Sequence, residues 1–206
     1  MISLPAILRV FGKQRVGVAL GSGGSKGIAH ISVLEFIDSL GIPVHMISGS
    51  SIGAFVGAIY SVGALKKLKE DLLKMKRLEM LPYFDPVFPK SGILGGKKVM
   101  EFMRRYIPVD TRIENMQIPL GVVATDLGTG RAVVFKSGNL LDALRASISI
   151  PGIFEPVRYR DRVLSLLWPV NISNLPASGN RASISLMRLV PVPLFWKSGC
   201  TTSLPT

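Results

Sequence analysis

The sequence predicts an α/β domain, a largely parallel sheet flanked by helices. Three observations carry this. Twice in the first third of the chain a short apolar run reaches a glycine-bounded turn and passes into a segment of helical periodicity. Successive strand–helix units imply parallel neighbours, because a parallel pair needs a long crossover connection. The chain's 206 residues, 48% of them hydrophobic, suit one buried core and one domain.

The elements follow in order. Val16 to Leu20 reads as a strand ending in glycines, and Gly27 to Leu40 as a helix stopped by Gly41. Val44 to Ser48 reads as a buried strand, followed after Gly49 by a helix rich in small residues: Gly53, Ala54, Gly57 and Ala58. In LKKLKEDLLKMKRL, Leu65, Leu68, Leu72 and Met75 recur at helical spacing while Lys66, Lys67, Lys69, Lys74, Lys76 and Arg77 point largely elsewhere. This amphipathic helix has two readings: core packing with a solvated basic face, or docking on a membrane. Leu81 to Gly96 is a loop rich in Pro and Gly, and Lys97 to Ile107 a second amphipathic helix with Met100, Met103 and Ile107 on one side. Leu120 to Thr125 and Arg131 to Lys136 form strands joined by a hairpin turn, Leu140 to Ser147 is a short helix, and Pro151-Gly152 breaks the chain.

From Ser165 onward the composition shifts. All 13 acidic residues precede this point, although the tail should hold about three at the average density. The tail has both tryptophans, the single cysteine (Cys200) and five of the 14 prolines, with no sustained periodicity. The chain is expected to divide into an extension, 1–13, a domain, 14–164, and an atypical tail, 165–206.

Composition narrows the function classes. One cysteine cannot form an internal disulfide, and two histidines offer no cluster for a structural metal. No apolar run approaches about eighteen residues, and the amino terminus lacks the pattern of a secretory signal, so a cytoplasmic protein is expected. The net charge of +12 suits nucleic acid or an anionic membrane surface without choosing between them.

The chemistry concentrates at two places. Gly49-Ser50-Ser51-Ile52-Gly53 fits G-x-S-x-G between a strand and a helix, the context in which the pattern marks an exposed nucleophile at a strained turn. The alternative is an ordinary turn with a serine helix cap. Gly21-Ser22-Gly23-Gly24-Ser25-Lys26-Gly27 lies between the first strand and its helix, where backbone N–H groups can hold an anion. A phosphate loop would need G-x-G-x-x-G or G-x-x-x-x-G-K-[ST], and neither matches. If the anion is instead the oxyanion of an acyl-transfer intermediate, this loop and Ser51 form one site. The near miss Gly92-Ile-Leu-Gly-Gly-Lys97-Lys98 lacks the hydroxyl residue and is read as structural.

These segments resemble the bacterial patatin-like phospholipases over roughly residues 14 to 164. The order is LGSGGSKGIAHISVLEFI, GIPVHMISGSSIGAFVGAIYS, a Ser-Gly-Ile-Leu stretch, PLGVVATDLGTGRAVVF and LRASISIPGIFEPV. The resemblance implies a three-layer α/β/α fold and lipid acyl ester or phospholipid substrates, with no cofactor, no metal and no nucleic-acid partner. It implies Ser51 as nucleophile of a Ser–Asp dyad, with Gly49 and Gly53 flanking the turn. It also implies an oxyanion hole at Gly23, Gly24 and Ser25, supported by Gly21, Ser22, Lys26 and Gly27. Ser22 departs from the family's usual glycine, a mild change if its φ permits. A triad histidine fails on distance: His45 lies six residues before Ser51 along a strand, roughly 20 Å away. His30, on the first helix, is assigned a core or helix-surface role.

The aspartate is missing. The family carries it in Asp-Gly-Gly or Asp-Gly-Ala shortly after the P-G-I-F segment, yet this chain has no Asp-Gly pair and reads Ser-Leu-Leu-Trp-Pro-Val after Leu164. The fold is thus expected to be incomplete at its C-terminal side, through a frameshift or rearranged 3′ end, with activity reduced or absent. Asp161, between two arginines, is read as an exposed turn residue and Asp126 as a structural turn residue. A non-catalytic product that binds anionic lipid is the rival reading, and a nucleotide-binding domain a distant third.

Overall fold

The computed structural model describes residues 16–76, 95–151 and 154–166. The N-terminal extension, most of the Leu81–Gly96 loop and the tail from 167 lie outside them. The elements are β1 (Val16–Leu20), α1 (Ala29–Ser39), β2 (Val44–Ser50), α2 (Ile52–Ser61), α3 (Leu65–Lys74), α4 (Gly95–Arg104), β3 (Leu120–Asp126), β4 (Ala132–Phe135), α5 (Leu140–Ser147), β5 (Val157–Tyr159) and β6 (Arg162–Ser165). A short 3-10 turn, Gly24–Ile28, precedes α1, so the first helix opens two residues later than the periodicity predicts. Gly95 and Gly96, expected in a loop, open α4.

The fold is α/β. In the sheet β1, β2 and β3 run parallel side by side, with β1 at one end of the described strand order, Leu20 facing Gly49 and Ser50 facing Val123. β4 returns antiparallel along β3, as the hairpin pattern predicts, and β6 pairs antiparallel with the end of β3 at Thr125 and Asp126. The β5–β6 hairpin was not legible as strands; Arg160 at φ 54 turns it, with Asp161 exposed beside it as expected. β6 includes Ser165, one residue past the expected start of the tail. Every residue of β3 is buried, so both sheet faces are covered, as in a three-layer domain.

α2 explains its small residues. It is buried almost all round, as a helix through the middle of a core must be. A Cβ on Gly57 would come within 2.8 Å of the Ile47 side chain on β2, so the helix lies directly on the sheet. Phe55 from α2 meets Phe102 of α4 at 6.0 Å, and Phe102 meets Tyr106 edge-on at 5.4 Å. Leu65, Leu68 and Leu72 of α3 are buried while Lys66, Lys67 and Lys74 are exposed, the core-packed arrangement of the basic helix. Lys69 reaches Glu35 of α1 at 2.7 Å; such half-exposed pairs contribute about 0–1 kcal/mol.

Candidate active site at the serine turn

Ser51 stands where β2 becomes α2. Its backbone has φ 53 and ψ −123, a conformation that costs a non-glycine residue about 1–3 kcal/mol. It occupies the N-cap position, yet its side chain makes no cap hydrogen bond, so the simple serine-cap reading does not describe this turn. Glycine is required on both flanks. A Cβ on Gly49 would lie 2.6 Å from the backbone of Ala54, and one on Gly53 would strike the Leu20 carbonyl and lie 2.5 Å from that of Gly21.

That second contact joins the two motifs. The glycine loop leaves β1 beside the turn, its first carbonyls against Gly53 and its last glycine, Gly27, against the Ile52 side chain. Gly23, Gly24 and Ser25 form the bend, with Gly24 at φ 56 and Lys26 N–H donating to Gly23 O at 3.2 Å. Ser22 has no positive φ, so serine is compatible there. Lys26 is exposed, whereas Gly21 and Gly27 are buried.

Strand parity places the end of β6 at the same turn. Backbone groups of alternate residues face opposite edges of a strand. Asp126 N–H donates to Arg131 O beside β4, while Pro119 O accepts from Ile47 of β2 and Leu127 N–H donates to Val163 O of β6. Odd-numbered positions along β3 thus face first β2 and then β6. Ser165 pairs with Thr125, so the chain leaving β6 at Leu166 heads towards Val123 and the strand end from which Ser51 departs.

Two residues that sequence reasoning did not place there hold this corner. Ser147, fully buried at the end of α5, accepts the Ser51 N–H at 2.8 Å and donates to Val123 O at 2.6 Å. His30 donates from Nε2 to Gly21 O at 2.9 Å, and burial lowers its pKa below the ordinary imidazole range. Neither has a local signal: 96 positions separate Ser51 from Ser147, and a helix-face histidine next to a glycine loop is uninformative by itself. His45 takes the Val16 N–H on Nδ1 at 3.0 Å, at the end of β2 away from Ser51.

Asp126 spends both carboxylate oxygens in its own turn, accepting from Gly128 N–H at 3.0 Å and the Thr129 hydroxyl at 2.9 Å. That is the turn role expected of it. Among the described residues Glu35, Asp38, Asp71 and Glu114 are likewise engaged elsewhere, with Lys69, Tyr60, Tyr106 and Arg112.

The fold and these residues define an α/β domain with a strained strand–serine–helix turn set against a glycine loop. The patatin-like phospholipase family model matches residues 18–169, and the chain belongs to that family. An NTE family protein of Mycobacterium tuberculosis is 37% identical over 188 residues, covering 88% of this chain and 51% of that protein. Patatin-like phospholipase domain-containing protein 6 of Homo sapiens is 30% identical over 83% of this chain and 13% of its own length. Lysophospholipase NTE1 of Lodderomyces elongisporus is 30% identical over 77% of this chain and 11% of its own length. The chain spans about half the length of the mycobacterial relative.

Proposed function

We propose that this domain is a serine acyl hydrolase of lipid esters, with Ser51 as nucleophile and turnover limited by the lack of its carboxylate partner. One observation carries the reading: a non-glycine residue whose hydroxyl makes no cap hydrogen bond is held at φ 53 on a strand-to-helix turn whose flank packs on the glycine loop. Ser51 Oγ attacks the acyl carbonyl, its proton passing to water in place of a carboxylate, and the carbonyl oxygen becomes an oxyanion. N–H groups of Gly23, Gly24 and Ser25, with the dipole of the α2 amino terminus, steady that charge. Gly21, Ser22, Lys26 and Gly27 shape the loop, and Gly49 and Gly53 the turn. The alcohol leaves with a proton, and water then releases the fatty acid. The lysophospholipase named among the relatives makes a single-chain phospholipid a sensible first substrate.

The base is the weak point. A serine hydroxyl without a base is a poor nucleophile, and losing one member of such a site removes several orders of magnitude while the oxyanion hole leaves a residual rate. The family's aspartate motif is due as the chain leaves β6, and Leu166 follows that strand. A frameshift or rearranged 3′ end accounts for both the missing motif and the compositional break; coding DNA with no Asp-Gly-Gly or Asp-Gly-Ala codons past Leu164 in any frame removes that account. No cofactor and no nucleic acid enters the reading, and a cytoplasmic place, peripheral at a membrane, fits it. Among the described residues no helix is long and apolar enough to cross a membrane.

A second reading rests on α3, whose exposed lysines suit a non-catalytic or truncated product that binds anionic lipid. Fatty-acid release from a lysophospholipid, compared with Ser51→Ala, separates the two. Slow release that disappears in Ser51→Ala supports the hydrolase; equal rates together with binding to phosphatidylserine vesicles support the lipid binder.

A further inference from the structure

His30 is a buried titratable side chain that the reaction above does not use. Only 3% of it is exposed, its Nε2 lies 2.9 Å from Gly21 O, and its Nδ1 is buried without a partner among the described residues. A carbonyl oxygen can only accept, so Nε2 carries the proton and Nδ1 the bare lone pair. The peptide between Gly21 and Ser22 is planar and trans, so its C=O and N–H point in opposite directions. Holding Gly21 O towards α1 therefore turns the Ser22 N–H away from α1, at the point where the chain enters the glycine bend. Gly21 O also abuts Gly53, where even a Cβ would lie 2.5 Å away. The carbonyl thus meets both the histidine and the start of the helix that follows Ser51.

We propose that His30 is a positioning residue: as the neutral Nε2–H tautomer it pegs the Gly21–Ser22 peptide plane and so fixes the direction of the glycine-loop amides relative to Ser51. This rests on the reading of that loop and Ser51 as one acyl-transfer site. No proton passes through His30, which lies behind the loop and serves as an anchor. Burial opposes a second proton on Nδ1, because an imidazolium there would carry an N–H with no acceptor.

The test compares the wild-type chain with His30→Leu and His30→Gln, the latter keeping an amide N–H at similar reach. Long-range proton–nitrogen spectra, with His45→Gln used for assignment, should show His30 protonated on Nε2 alone at neutral pH. The Ser22 amide resonance should move in His30→Leu and stay near its wild-type position in His30→Gln. Labelling of Ser51 by a fluorophosphonate should slow about tenfold or more in His30→Leu, since displacement of about 1 Å at such sites costs up to a hundredfold. His30→Gln should recover most of the rate. An Nδ1–H tautomer overturns the peg, as does an unmoved Ser22 amide in a folded His30→Leu chain or equal slowing in both variants. A wild-type chain that the probe does not label overturns the nucleophile reading alone; the tautomer and the Ser22 amide then still decide the peg.

Discussion

The amide of Ser51 donates to the hydroxyl of Ser147, which in turn donates a hydrogen bond to Val123 O, so one buried oxygen bridges β2 and β3 where the two strands part. Beyond Ser50 and Val123 the strands no longer pair, and without this bridge both backbone groups would be left buried and unsatisfied. Ser147→Ala should destabilise the domain by about 1–3 kcal/mol. Urea unfolding measures it, and a change within error would show that the bridge contributes nothing.

Gly49→Ala should be worse. Its methyl group would lie 2.6 Å from the backbone of Ala54 and Gly53, atoms that cannot move aside without shifting α2. A loss of about 3 kcal/mol or more is expected, against about 1 kcal/mol for Gly41→Ala, where a positive φ is strained but nothing crowds the new atom. Similar melting points for the two variants would contradict the packing of α2 on the turn.

His30 makes stability depend on pH. Its folded pKa is lowered, chiefly by burial, while in the unfolded chain it titrates near 6.5. Below that value the unfolded state binds the extra proton first, so the stability present above about pH 6.5 declines as pH falls towards the folded pKa. His30→Gln should flatten this part of a stability-against-pH curve. An unchanged slope would mean that His30 titrates alike in both states.

The sequence made the central architecture plain because its signals are local. The apolar runs of β1, β2 and β3, the hairpin to β4 and the spacing of Leu140, Leu141 and Leu144 in α5 all declare themselves within a few residues. β5 and β6 were missed for a physical reason: they are three and four residues long and arginine-bearing, too short for a period to emerge. The strained turn at Ser51 and the bend of the glycine loop were legible as backbone features, because strain and close approach demand particular residues. Ser147 and the hydrogen bond of His30 were not, since a hydroxyl or ring that satisfies a distant backbone group leaves no pattern around itself.

Asp126→Asn tests the assignment of that carboxylate to its turn. Labelling of Ser51 should stay within about threefold of wild type, because a side chain committed to Gly128 and Thr129 is not acting as the base. A loss of about a hundredfold or more, the scale of general-base catalysis, would make Asp126 the base.

Leu166→Asp tests the proposal that the site lacks a carboxylate. The residue follows β6, one position beyond the Ser165–Thr125 pair, with its N–H on Ser149 O at 2.6 Å. A carboxylate introduced there should raise ester hydrolysis by about tenfold or more. No gain in a folded variant would contradict the proposal that the site lacks a carboxylate at this point of the chain.

The most direct measurement is the site of covalent modification. The wild-type chain is exposed to a fluorophosphonate and the adduct located by peptide mass spectrometry. A slow, single adduct on Ser51 that is absent from Ser51→Ala is predicted. Modification at another residue, or no adduct after prolonged exposure of a folded chain, would contradict it.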